Sequence, residues 1–164
     1  RMSRGLGDVY KRQEFDDSIR VWVDGPLVRT NVKTMPHPGF PTDAQAIFMA
    51  MLSLADGVSV LEENIFENRY RHVDALVKMG ARIHVSGRTA VVAGVRALSG
   101  AAVSATDLRG GAAMVLAGLA AQGRTEVRQI SHIDRGYETM ELVLRSVGAQ
   151  IVRKDVPSEG LLRI

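Results

Sequence analysis

Residues 110–121 read GGAAMVLAGLAA, a full helix-length run from Gly110 to Ala121 without a charged side chain. A helix at a wet surface shows one apolar stripe and one charged face. A helix that is apolar around its whole circumference must be covered on every side. Thr106-Asp107 stands before the run as a helix start and Gly123 behind it as a stop. An earlier segment, about Asp43 to Ala55, has the same character. It opens with Thr42-Asp43-Ala44-Gln45, which reads as a capping box with Thr42 at the N-cap and Gln45 reaching back. Two helices of this kind in one chain predict an inverted layering within the α/β (α+β) class, with helices inside and sheets outside.

Outward from these helices the sequence repeats. The first copy opens near residue 19, where Ile19-Arg20-Val21-Trp22-Val23 alternates like a strand and stops at Asp24-Gly25-Pro26. Beyond the first apolar helix, a strand is expected over Ser59–Phe66 and a helix over about Tyr70–Met79, ended by Gly80. Strands over Arg82–Val85 and Ala90–Ala93, joined by Ser86-Gly87-Arg88, close the unit. After the second apolar helix come a strand over Thr125–Ile130 and a helix over about Tyr137–Val147. Gly148-Ala149-Gln150-Ile151 then repeats Gly80-Ala81-Arg82-Ile83. Asp43 and Asp107 are 64 residues apart, Arg69 and Arg135 66 residues apart. A nearly constant offset marks a duplicated supersecondary unit, with copies at about 19–93 and 103–153.

Composition narrows the function classes. The chain has 164 residues, 46% hydrophobic and 24% charged, enough for a packed core. It has no cysteine, which removes disulfides, thiolate metal sites and a cysteine nucleophile from this sequence. The net charge of +3 suggests nucleic acid until it is located. Four of the 21 basic and one of the 18 acidic groups lie in the first thirteen residues, so the remainder balances at 17 each. A clustered basic surface for phosphate backbones is therefore not expected, and no apolar run reaches the ~18 residues of a membrane span. The basic start has no apolar segment behind it and does not read as a signal peptide. Residues 3–13, SRGLGDVYKRQ, are similar to the in-frame translation of a transposon-type sequencing adaptor. Residues 1–13 are accordingly expected not to be native, and 14–164 to be part of a longer domain.

The candidate chemistry sits at the helix starts. Asp43 and Asp107 can each cap a helix, since a carboxylate is stabilised beside free backbone N–H groups, or each can serve a reaction. Arg109 lies in the first turn of its helix, where a cation opposes the dipole at a cost of ~0.3–1 kcal/mol. An anion bound there would account for it, as would a salt bridge to Asp107 or Asp134. Arg69 and Arg135 each follow a strand and precede a helix, in equivalent slots of the two copies. Their forked guanidinium groups suit phosphate or carboxylate, and a structural pair such as Asp134–Arg135 is the alternative. Phe66 can stack on a planar ligand or join the core. His37, His72, His84 and His132 lack metal-ligand spacing and read as ordinary polar contacts, and Gly110-Gly111 reads as a close-packing device.

Four ordered motifs carry a resemblance. Phe40-Pro41-Thr42-Asp43-Ala44-Gln45, Phe66-Glu67-Asn68-Arg69-Tyr70, Ala105-Thr106-Asp107-Leu108-Arg109 and His132-Ile133-Asp134-Arg135-Gly136-Tyr137 resemble the UDP-N-acetylglucosamine 1-carboxyvinyltransferase family of enolpyruvyl transferases. The resemblance runs from about Ile19 to Arg153 and leaves Asp155–Ile164 unplaced. It implies an inside-out α/β barrel of βαβαββ units and a bacterial, cytoplasmic enzyme of peptidoglycan precursor synthesis, without a cofactor. The implied reaction joins the 3′-hydroxyl of UDP-N-acetylglucosamine to C2 of phosphoenolpyruvate and expels phosphate. By motif, Asp43 would hold and deprotonate the hydroxyl, and Ile65 and Phe66 would line the nucleotide side. Arg109 and Arg135 would bind the phosphate and carboxylate of phosphoenolpyruvate, with Arg69 adding positive charge. The family's loop acid (Cys or Asp) and its Lys-Asn pair would lie upstream in a missing N-terminal half, leaving this chain inactive alone. The rival readings are a shikimate-pathway enolpyruvyl transferase and a non-catalytic nucleotide-sugar binding module.

Overall fold

The computed structural model describes residues 11–22, 24–156 and 159–163. A two-stranded antiparallel ribbon comes first, β1 (Lys11–Glu14) against β2 (Ile19–Trp22). Lys11, Arg12 and Gln13, set apart in the sequence reading, thus belong to a strand, because Arg12 and Gln13 pair with Val21 and Arg20.

The first copy does not open with the strand expected at Ile19, which pairs with β1 in a separate sheet. It runs β3 (Val32–Lys33), α1 (Thr42–Leu52), β4 (Val58–Glu62), α2 (Val73–Lys78), β5 (Arg82–Ser86) and β6 (Thr89–Ala93). The second runs β7 (Ala102–Ser104), α3 (Leu108–Ala120), β8 (Glu126–Arg128), the short helices α4 (Ser131–Asp134) and α5 (Met140–Ser146), then β9 (Val152–Val156) and β10 (Glu159–Arg163). The sheets have the same order, β3-β4-β6-β5 and β7-β8-β10-β9. In each the first pair is parallel and the others antiparallel. The duplication is therefore one of topology as well as sequence. Residues 159–163, unplaced by sequence pattern, are the strand that completes the second sheet.

The layering follows the charge pattern. α1 packs on α3, and Met49, Ala113, Met114 and Val115 are buried. β5 and β6 alternate exposed or half-buried with more buried positions, as sheets do when one face is packed and the other wet. Gly111 lets the layers approach: a Cβ there would lie 2.6 Å from Ile133 Cγ1 and 3.0 Å from Ala105 Cβ. Gly80 and Gly148 both end helices at positive φ, +94° and +98°, where a side chain would be strained. Arg153 ties the second copy together by pairing with Asp134 (2.7 Å) and Glu141 (2.8 Å).

Several expected boundaries shift, each for a local reason. The capping box does not form: Pro41 is the N-cap of α1, and the Thr42 hydroxyl donates instead to Glu63 Oε2 at 2.9 Å. Gln45 is buried rather than turned back to the helix start. The strand expected to reach Phe66 ends at Glu62, because the Ile65 and Phe66 N–H groups are taken by the Glu63 carboxylate. The helix expected from Tyr70 begins at Val73, after the Tyr70 hydroxyl has bonded the Leu61 and Arg88 carbonyls. The helix expected over Tyr137–Val147 starts at Met140, after Thr139 at φ +46°.

Candidate active site

Asp43 is the second residue of α1, and its carboxylate reaches outward with its side chain 59% exposed. Arg69, in the turn before α2, donates from Nη2 to Asp43 Oδ1 at 3.0 Å. Arg109, in the first turn of α3, donates from Nη2 to Asp43 Oδ2 at 2.9 Å. One acid from the first copy thus lies between a guanidinium of each copy. The Arg109 hydrogen bond, with the charges of Arg109 and Arg69, holds the Asp43 carboxyl below the usual carboxylate range, against the opposing effect of burial. The Arg69 guanidinium also lies 5.0 Å from the ring centroid of Phe66, which is half exposed. Exposed ion pairs contribute about 0–1 kcal/mol, so this convergence is not chiefly a stabilising device.

Asp107, at the matching position of the second copy, does something different. It is the N-cap of α3, and its Oδ1 accepts from the Arg109 and Gly110 N–H groups at 2.9 and 2.8 Å. Of the two readings open for each acid, Asp107 takes the capping one and Asp43 does not. Arg109 pairs with neither Asp107 nor Asp134 as an ion-pair partner, since its fork goes to Asp43 and Asp134 goes to Arg153.

Arg135 is the C-cap of α4 and exposed, and among the described residues it makes no ion pair, so the Asp134–Arg135 pair is not formed. Its backbone borders the start of α3: the neighbouring Gly136 leaves a Cβ only 2.6 Å of room against Leu108 Cδ2. The structure therefore joins Asp43, Arg69, Arg109 and Phe66 directly, and puts Arg135 on the segment beside them without contact to Asp43. Ile65 is half-buried beside Phe66, and both backbone N–H groups point to Glu63.

Glu63 was not singled out by the sequence, and His72, read there as an ordinary polar contact, is instead a buried ring. Glu63 is buried at 1% exposure. Burial raises its carboxyl, but hydrogen bonds from Phe66, Ile65, Thr42 and Thr34 outweigh this and hold it below its ordinary value. A signal existed: Ser59, Leu61 and Glu63 share one face of the expected strand, and Leu61 is plainly a core residue. His72 is 2% exposed and packs beside Gly110, with its Nε2 unpartnered. Burial lowers it to about 4, against the pull of the Asp107 charge and a bond to the Arg69 backbone. Among the described residues no trio of His, Asp and Glu is grouped to hold a metal, and no helix is long and apolar enough to cross a membrane.

Comparison with known proteins gives this geometry a context. Residues 5–144 match the family described as EPSP synthase (3-phosphoshikimate 1-carboxyvinyltransferase). Over 141 residues the chain is 60% identical to UDP-N-acetylglucosamine 1-carboxyvinyltransferase 3 of Caldanaerobacter subterraneus, covering 86% of this chain and 34% of that protein. It is 58% identical over 138 residues to UDP-N-acetylglucosamine 1-carboxyvinyltransferase of Zymomonas mobilis, covering 84% and 32%. Among solved structures, the enolpyruvyl transferase NikO from Streptomyces tendae superposes with a TM-score of 0.77 at 28% identity, over 86% of this chain and 33% of that one. The chain spans about a third of the length of these relatives.

Proposed function

The chain belongs to the EPSP synthase (3-phosphoshikimate 1-carboxyvinyltransferase) family, and from that premise we propose that it supplies the base and the anion-binding arginines for enolpyruvyl transfer to UDP-N-acetylglucosamine. The observation that carries this reading is the exposed Asp43 carboxylate held between Arg69 and Arg109. In the proposed reaction the sugar 3′-oxygen bonds to C2 of phosphoenolpyruvate as C3 gains a proton. The C2–O bond to phosphate then breaks and C3 gives a proton up, so the enol ether forms and inorganic phosphate leaves.

Asp43 takes the hydroxyl proton in the first step, a role that requires hydrogen-bond reach to that hydroxyl. Paired with two guanidinium groups it is a weak base. An arriving phosphate and carboxylate compete for the same forks, and as they draw Arg109 away the Asp43 carboxyl regains basicity. Arg135, unpaired among the described residues and beside the start of α3, is the second cation for phosphoenolpyruvate in this reading. Ile65 and Phe66 line the acceptor side. The proton for C3 and the remaining grip on phosphoenolpyruvate come from residues outside this sequence. Such an enzyme works in the bacterial cytoplasm and feeds cell-wall synthesis.

A chimaera in which this chain replaces the matching third of the Caldanaerobacter relative tests the proposal. It is expected to release phosphate from phosphoenolpyruvate with UDP-N-acetylglucosamine and not with shikimate 3-phosphate; the reverse preference moves the assignment to the shikimate pathway. The 164-residue chain by itself is expected to show no transfer, and measurable turnover by it would contradict that division of labour.

A further inference from the structure

Glu63 is tied to three separate pieces of the first copy. Its Oε1 accepts from the Thr34 hydroxyl just past β3 (2.9 Å), and from the N–H groups of Ile65 (2.9 Å) and Phe66 (3.1 Å). Its Oε2 accepts from the hydroxyl of Thr42, the residue before Asp43, at 2.9 Å. Thr34 Oγ1 in turn accepts from the Asn64 N–H at 2.8 Å. A buried carboxylate held by hydroxyls and amides rather than by a cation is expensive to desolvate, and every hydrogen bond is needed to offset that.

The second copy shows that the fold does not need this arrangement. The β3–β4 and β7–β8 registers align Glu62 with Arg128, which places Gln129 where the first copy has Glu63. Gln129 is exposed, and Ala105, which donates its N–H to the Arg128 carbonyl as Thr34 does to Glu62, has no hydroxyl. The same βαβαββ topology forms without the carboxylate hub. The hub exists only in the copy whose helix-start acid is turned out to Arg69 and Arg109.

We propose that Glu63 is a positioning residue, fixing the helix start that presents Asp43 and the Ile65–Phe66 turn beneath Arg69 at one separation. This rests on the reading that Asp43 is the base and Ile65–Phe66 the acceptor side. Each arm then has its own kinetic signature: the turn sets acceptor affinity and the Thr42 arm sets the rate, while phosphoenolpyruvate, whose competition with Asp43 involves only an exposed ion pair, is affected least.

The test uses the full-length chimaera with Glu63→Ala, Glu63→Gln and Thr42→Val, and Asp43→Ala as control. Glu63→Ala is expected to raise KM for UDP-N-acetylglucosamine about tenfold, the size of losing hydrogen bonds to a charged acceptor. Its kcat falls on the order of 100-fold, as a small misplacement of a base does. The KM for phosphoenolpyruvate stays within about twofold, the mark of a loss confined to one substrate. Thr42→Val lowers kcat and leaves the acceptor KM in place. Glu63→Gln recovers most of both, because its Oε1 still takes three donors and its amide can donate to Thr42. If Glu63→Ala does not fold, the contrast between Thr42→Val and Glu63→Gln carries the test. Equal loss of active enzyme with both KM values unchanged, or a Thr42→Val enzyme of normal kcat, overturns the proposal while Asp43→Ala remains inactive. An active Asp43→Ala enzyme instead overturns the reading of the site, and the proposal with it.

Discussion

The two copies of the βαβαββ unit place an aspartate after a threonine at the start of their buried helix, yet the two acids do different work. Asp107 is itself the N-cap of α3, and its carboxylate turns back to the Arg109 and Gly110 N–H groups. In α1 the N-cap is Pro41, so Asp43 lies two positions past the cap and its carboxylate leaves the axis toward Arg69 and Arg109. A shift of two residues in where the helix begins separates a cap from an acid turned out to two arginines. Glu63 sustains the difference, since it holds the Thr42 hydroxyl that the capping box would otherwise use.

The comparison can be broken first at Arg109, which serves both copies. Arg109→Ala in the chimaera is expected to cost 10²-fold or more in turnover, roughly the effect of removing one preorganised donor from a charged transition state. A loss of less than about tenfold would make Arg109 a bystander to the chemistry. The seam between the copies is tested at His72, which sits at the start of α2 and leans on the start of α3. Its folded value of about 4 lies below the ordinary 6.5, so the unfolded chain binds a proton that the folded one refuses. Stability of the chain should therefore fall as pH drops from about 6.5 to about 4, by about 3 kcal/mol in urea unfolding, with Asp107 and Arg69 the charges facing the ring. His72→Gln should flatten that slope. Any slope remaining at lower pH belongs to Asp43, Glu63, Asp107 and Glu141, whose depressed carboxyls give stability that is lost as each protonates. The smallest effect sharpens the picture at Asp43 itself. Carboxyl titration by carbon NMR should show Asp43 rising toward the ordinary range in Arg109→Ala and rising less in Arg69→Ala, because the Arg109 hydrogen bond is the largest cause of its depression. Equal shifts would show that the two cations act only by distance.

The layered fold was legible because its signals are local and chemical: the uncharged run Gly110–Ala121, the 64- and 66-residue offsets and the Gly80 and Gly148 stops are all written in residue types. β10 was not, since Glu159–Arg163 becomes a strand only through pairing with β8 and β9. At the site, Asp43, Arg69, Arg109 and Phe66 were legible as motif residues, and the structure brings them together. Which aspartate caps and which reaches out depended on competition for Thr42 by a carboxylate 21 residues away, a tertiary contact that no helix-start pattern contains. Glu63 escaped notice because an acid in an apolar alternation reads as an outward residue, although its parity with Ser59 and Leu61 put it inside.

The most direct measurement sets Asp43→Ala beside Asp107→Ala in the chimaera and records turnover and unfolding for both. Asp43→Ala should lose turnover by 10²-fold or more with unfolding nearly unchanged, and Asp107→Ala should lose about 1 kcal/mol of stability, the usual cost of an N-cap. An Asp43→Ala enzyme that turns over normally and unfolds early would mean that both acids are caps.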